Sequence, residues 1–127
     1  MLKLGRERGE VRVVDNEFVS PTPTAELARQ MSALSSSKNY GLYHATAEGC
    51  CSWFEFAREI FALAGMKVNL KVAGAGEFPA KVPRPSYSVL ENSRLKSHGL
   101  NAFGSWQNGL RAYLEQRIQQ TSAHVAA

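Results

Sequence analysis

The sequence has few of the residues that announce chemistry. Its only two cysteines, Cys50 and Cys51, are adjacent, which gives neither a CxxC redox pair nor the spacing of a zinc site. Both are expected to be buried or half-buried thiols. The three histidines, His44, His98 and His124, are scattered with no carboxylate or thiol at a diagnostic offset, so no metal site and no nucleophilic triad is indicated. No apolar run approaches the roughly 18 residues that span a bilayer, and "MLKLGRERGE" is too charged for a secretion signal. The chain reads as cytoplasmic, with no membrane partner. No repeat and no low-complexity segment is visible. The 15 Lys and Arg exceed the 11 Asp and Glu, but they are spread from Lys3 to Arg117 without a cluster or interleaved aromatics. A solvated basic surface is expected, and no nucleic acid.

What is present is an ordinary globular composition. With 127 residues and 44% hydrophobic, the chain can bury roughly two-thirds of its unfolded surface. Helical and strand patterns alternate, which points to an α/β fold. Residues 1–10 read as the end of a charged helix closed at Gly9, and "VRVV" as a short strand. Asp15 and Asn16 form a turn, Phe18 packs and Pro21 stiffens the chain. Thr22 is expected to cap a helix with Pro23 at its first position and Glu26 in its first turn. Leu27, Ala28, Met31 and Leu34 would form the helix's apolar face. "YGLYHAT" is a second strand candidate.

The clearest signal is Ser52-Trp53-Phe54-Glu55, a capping box. Behind it Trp53, Phe56, Ala57, Ile60, Phe61 and Ala64 recur at helical spacing up to Gly65. Trp53 reads as a staple on this buried face. "KVNLKVA" is the third strand, followed by a Gly- and Pro-rich loop over residues 74–85. A short helix over residues 92–98 ends at Gly99. A last amphipathic helix starts at Ser105, with Trp106, Leu110, Tyr113, Leu114 and Ile118 on one side. One domain over residues 1–120 and a frayed tail over 121–127 are expected.

Two features imitate cofactor chemistry. "VAGAGEFP" follows a strand as a dinucleotide-binding Gly loop does, but Pro79 stands at the third Gly position. Pro83 and Pro85 then forbid the helix that would hold a pyrophosphate. Tyr113-Leu-Glu-Gln-Arg117 imitates a Tyr-x-x-x-Lys dyad, with an arginine in place of the lysine on a core-facing helix, and reads as packing. No catalytic residue is assigned.

Three blocks carry a family resemblance: "RVVDNEFVSPTPTAELAR", "GLYHATAEGCCSWFEFAREIFALAG" and "VPRPSYSVLENSRLKSHGL". In this order they resemble the carboxy-terminal part of the dTDP-4-dehydrorhamnose reductases, extended short-chain dehydrogenase/reductases. The resemblance covers nearly the whole chain. It implies an α/β substrate-binding portion without the Gly-rich part of the Rossmann lobe, whose parent reaction reduces dTDP-4-dehydro-L-rhamnose to dTDP-L-rhamnose. The Gly loop and the catalytic Tyr and Lys have no counterpart here. The chain alone is expected to be inactive and to bind no cofactor, with NADPH implied for the complete enzyme. The alternative is a non-catalytic interaction or regulatory module, since a regulatory subunit of methionine adenosyltransferase shares the family. Departures from the pattern are Glu17 for glutamine, Val19 for glycine, Glu91 for aspartate and Arg94 for lysine. Val19 would need a reshaped turn wherever glycine's freedom is used, and Glu91 would cap its helix less well than aspartate.

The resemblance implies that the segment containing Asn16, Glu17 and Phe18 lies between the cofactor and substrate lobes, where its side chains can face the dTDP-sugar. Arg84, held between prolines in "PRPSYS", offers a planar fork suited to a diphosphate, with Tyr87 and Ser88 as companions. A sheet that lacks its other strands would leave "GLYHATA" with an open edge, beside an uncovered stripe of Leu27, Met31 and Leu34. A homodimer or an exchange of fragments through residues 40–46 is therefore expected.

Overall fold

The computed structural model describes residues 1–74, 76–78, 82 and 84–125, with side chains to residue 120. The chain divides into two compact units, Met1–Val19 with Cys51–Ser88, and Ser20–Cys50 with the chain from Val89 onward. Among the described residues no helix is long and apolar enough to cross a membrane.

In the first unit, helix α1 (Leu2–Arg8) ends at Gly9, whose φ of 64° is the left-handed cap glycine accepts without strain. Strand β1 (Glu10–Val13) follows, with Val11 and Val13 buried and Glu10 and Arg12 exposed, the alternation of a strand with one covered face. Strand β2 (Phe18–Val19) pairs antiparallel with β3 (Cys51–Ser52). Helix α3 (Trp53–Leu63) starts from the predicted capping box: Glu55 N donates to Ser52 Oγ at 3.1 Å, and Ser52 N donates to Glu55 Oε2 at 2.9 Å. Strand β4 (Asn69–Val72) lies parallel to β1, with Glu10 opposite Asn69 and Val13 opposite Val72. Val11, Val13, Ala57 and Phe61 form the core, and Trp53, Phe54, Met66, Val68 and Leu70 close over it. Trp53 is the staple its spacing suggests, its ring edge-on to Phe56 at 6.1 Å.

The second unit holds helices α2 (Thr24–Ser35), α4 (Ser93–Ser97) and α5 (Trp106–Val125). Its buried apolar residues include Ala47, Leu95, Phe103, Trp106, Leu110 and Leu114. Tyr113 and Ile118, expected on that inner side, are exposed instead, at 52% and 61%. Helix α5 carries residues 121–125 of the expected tail, and residues 126 and 127 lie outside the described residues.

Several expectations are corrected here. Helix α2 takes Pro23 as its N-cap, without a side-chain cap. The Thr22 hydroxyl instead donates to Ser20 O at 2.9 Å and accepts from Ala47 N at 2.9 Å. The most buried residue of α2 is Gln30, 1% exposed; of the stripe expected to be uncovered, Met31 is 61% exposed, whereas Leu27 and Leu34 are half-buried. Burying the Gln30 amide is tolerable because both its ends are satisfied: Nε2 donates to Leu100 O and Oε1 accepts from Ala102 N, each at 2.9 Å. Cys51 is buried as expected but Cys50 is exposed.

The largest correction concerns residues 40–46, which form no strand. Side chains hold this segment. Arg94 Nη2 donates to Tyr40 O at 2.8 Å and its guanidinium lies 5.0 Å from the centre of the Tyr43 ring, while Thr46 exchanges bonds with the Asn92 amide. The open strand edge on which the expected dimer rests is absent there. Val19 sits in β2 with negative φ, so its position makes no demand for glycine. Glu91 does not cap α4, whose N-cap is Asn92, but accepts from Lys96 Nζ at 2.6 Å.

Candidate functional site

Strands β1 and β4 end side by side, and Ala73 N extends their ladder by donating to Val13 O at 2.9 Å. Beyond that bond the two chains part. Residues 14–17 form one wall of a cleft of about 440 Å³, and Val72, Ala73, Gly74, Gly76 and Phe78 form the other. The crevice at the carboxyl ends of parallel strands is where open α/β sheets bind ligands, because loops there can vary without disturbing the ladder.

Both walls are anchored. On the first, Val14 O accepts from Phe54 N at 3.1 Å, and Asp15 Oδ1 accepts a short hydrogen bond from Ser52 Oγ. The turn thereby leans on the amino-terminus of α3, where a negative charge is favoured. On the second wall, Glu77 Oε2 accepts from Gly74 N at 2.9 Å and from Arg12 Nη1 at 3.2 Å, which fastens the loop back onto β1.

Of the residues singled out in the sequence, Asn16 and Glu17 line this cleft. Asn16 is exposed and Glu17 half-buried. Phe18 lies next in β2, its ring 6.4 Å from that of Tyr87. Phe18 N donates to Ser86 O at 2.8 Å, and Phe18 O accepts from both Ser88 N and Ser88 Oγ. Phe18, Tyr87 and Ser88 therefore form one bridge that holds β2 between β3 and the chain after Pro85, outside the described lining. Arg84 is exposed and does not line the cleft among the described residues. Pro83 and Pro79, on which its fixed position and the Gly-loop argument rested, lie outside the described residues.

Sequence reasoning missed the second cleft wall, because a Gly-rich loop reads only as a linker until Glu77 is seen closing it. It also missed a polar network in the second unit. Glu48 Oε1 accepts from Asn92 Nδ2 at 3.0 Å and Asn101 Nδ2 at 2.9 Å, and Glu48 Oε2 accepts from Lys96 Nζ at 2.9 Å. The Lys96 hydrogen bond, helped by the two amides, holds the Glu48 carboxyl below the usual glutamate range against the opposing effect of burial. Lys96, between Glu91 and Glu48, is raised above the usual lysine range. All these partners are satisfied by one another, which suits a structural clamp of residues 46–48 onto α4. Among the described residues no group of three His, Cys, Asp or Glu side chains is placed to hold a metal ion.

A parallel strand pair with a cleft at its carboxyl end, backed by a capped helix, is the local architecture of an α/β protein, in which such a crevice commonly receives the ligand. The chain belongs to the RmlD substrate binding domain family, which residues 1–119 match. It is 38% identical to the spore coat polysaccharide biosynthesis protein SpsK of Bacillus subtilis, over 92% of this chain and 41% of that protein. It is 36% identical to the dTDP-4-dehydrorhamnose reductase of Streptomyces griseus, over 87% of this chain and 38% of that one. Among crystal structures, the dTDP-4-dehydrorhamnose reductase of Bacillus anthracis in complex with NADP matches with a TM-score of 0.85 and 39% identity, over 91% of this chain and 41% of that chain. The ortholog from Clostridium acetobutylicum matches with a TM-score of 0.88 and 37% identity, over 92% and 42%. The chain thus spans about two-fifths of the length of these relatives, and its fold is that of the carboxy-terminal portion of the reductases.

The NADP of the Bacillus anthracis complex raises the question whether residues after β4 fit such a group here. Among the described residues no pyrophosphate turn is formed: the Gly74 N–H is occupied by the Glu77 carboxylate, and the next described helix along the chain, α4, begins at Ser93.

Proposed function

We propose that this chain supplies the nucleotide-sugar-binding part of a dTDP-4-dehydrorhamnose reductase, an enzyme in which NADPH reduces the 4-keto group of dTDP-4-dehydro-L-rhamnose to give dTDP-L-rhamnose. The observation that carries the reading is the family match over residues 1–119, in a chain whose cleft is walled by the Asn16 and Glu17 turn. Asn16 and Glu17 contact the ligand. Phe18, Tyr87 and Ser88 keep that turn in place through their bridge to β2. Arg84, exposed and able to offer two parallel N–H bonds, holds the diphosphate. The hydride and proton donors belong to a portion of the enzyme with no counterpart in these residues, and NADPH is bound there. A reaction between a water-soluble nucleotide sugar and NADPH suits the cytoplasm.

Two measurements test this. The purified chain is expected to leave NADPH unoxidised in the presence of dTDP-4-dehydro-L-rhamnose, because proximity and proton transfer both depend on groups it lacks. Turnover by the chain alone would contradict the reading. Arg84→Ala is expected to weaken dTDP-sugar binding by about 1.5–3 kcal/mol, the range for hydrogen bonds to a charged group. An unchanged affinity would remove Arg84 from the site.

A further inference from the structure

One serine holds the polar turn of the cleft from behind. Ser52 is 0% exposed, so it cannot touch a ligand, yet the turn over residues 14–17 is anchored on it and on Phe54 just beyond it. At the entry, Val14 O accepts from Phe54 N at 3.1 Å. Next along the chain, Asp15 Oδ1 accepts from Ser52 Oγ. At the exit, Phe18 stands opposite Ser52 in the antiparallel pairing of β2 with β3. The turn therefore wraps around the start of α3.

The hydroxyl makes this arrangement directional. Ser52 Oγ accepts the Glu55 N–H at 3.1 Å as the cap of α3, and its single proton is then available to an acceptor. Asp15 supplies a carboxylate, which is a strong one, at the helix end where negative charge is favoured. The capping box itself needs only Ser52 and Glu55, so the bond to Asp15 adds nothing to the cap. It acts on the turn, whose next two residues, Asn16 and Glu17, line the cleft. Side chains already held in place need not be ordered by the ligand, and affinity rises accordingly.

We propose that Ser52 is a positioning residue for nucleotide-sugar binding: through Asp15 it fixes the turn that presents Asn16 and Glu17, and so tunes the affinity of a site it does not touch. Asp15 is the link in this arrangement and not a ligand contact. The proposal rests on the substrate-binding assignment above.

The test is a double-mutant cycle read by calorimetry with dTDP-L-rhamnose, well below the melting temperature of every variant so that only folded chains are compared. Asp15→Ala cuts the link and leaves the capping box whole, whereas Ser52→Ala removes both. Each is expected to weaken binding about tenfold, and the double variant no more than either, since all three lack the same hydrogen bond. Asp15→Asn keeps an acceptor for the Ser52 hydroxyl and should restore most of the affinity. The NMR order parameters of the Asn16 and Glu17 backbone should fall in Asp15→Ala and hold in Asp15→Asn. Ser52→Ala that melts earlier but binds as before would make Ser52 a helix cap alone and overturn the proposal. Additive losses, or Asp15→Asn binding as weakly as Asp15→Ala, would make Asp15 a direct ligand contact and overturn it as well, leaving the substrate-binding assignment standing. If Ser52→Ala does not fold, the two Asp15 variants decide: equal affinities overturn the proposal, and a loss with alanine but not with asparagine sustains it. No binding by the unaltered chain would overturn the substrate-binding assignment and this proposal together.

Discussion

Ser52 shows how much one hydroxyl can carry. It is fully buried, accepts the Glu55 N–H that starts α3, and donates to Asp15 on the cleft wall. Ser52→Ala removes a helix cap and leaves a carboxylate without its donor, so a loss of about 1–3 kcal/mol is expected in urea unfolding. A change below about 0.5 kcal/mol would mean that the capping box contributes little here. Gly41 makes a different demand. Its φ is 142° and a Cβ added there would run into the Arg94 guanidinium. Gly41→Ala is expected to cost about 1–3 kcal/mol. Adding Arg94→Ala should recover the steric part and leave the backbone part, so the two changes should be non-additive in a double-mutant cycle.

At the scale of elements, the sequence was legible where the signal is local. The α3 capping box, the Gly9 stop and the alternation of Val11 and Val13 each involve neighbours a few residues apart, and each is found where its spacing puts it. It was illegible where the partners are remote. "YGLYHAT" has a strand-like composition, but Asn92 and Arg94 hold this stretch from 46 and 54 residues on in the chain, and Thr22 holds the following residue, Ala47, from 25 residues before it. Gln30 breaks the apolar face of α2 because the backbone at Leu100 and Ala102 satisfies it, 70 and 72 residues on. Hydrogen exchange reads this difference. The Thr46 and Ala47 amides, bonded to Asn92 and Thr22, should exchange more slowly than the amide of Leu42, and equal rates would contradict the described clamp. The Glu48 to Lys96 link adds a pH dependence. Glu48 is held below its ordinary pKa in the folded state, so the unfolded chain binds the proton first. Its stabilising effect is present above the ordinary glutamate pKa and is lost as pH falls below it through the folded value. Lys96 is raised, so its effect is present below the ordinary lysine pKa and fades as pH rises through the folded value. The Glu48→Gln protein should show a shallower acid limb of stability than the wild type, with the two curves converging at low pH.

For the whole molecule, the α/β class and the family were legible because three ordered blocks recur across nearly the whole chain, and the match over residues 1–119 bears that out. The cleft was only half legible. Asn16 and Glu17 stand in a polar turn that draws notice, whereas Val72, Gly76 and Phe78 join them only because β1 and β4 pair in parallel across about 59 residues of chain. Parallel pairing brings distant loops together at one end of the strands, and no local pattern records that meeting. The central claim is that these residues bind a nucleotide sugar and do not by themselves hold the nicotinamide cofactor. Titration calorimetry of the purified chain with dTDP-L-rhamnose and, separately, with NADPH tests it most directly. Saturable heat with dTDP-L-rhamnose at millimolar concentration and none with NADPH is the predicted result; saturable NADPH binding, or no binding of the nucleotide sugar, would contradict it.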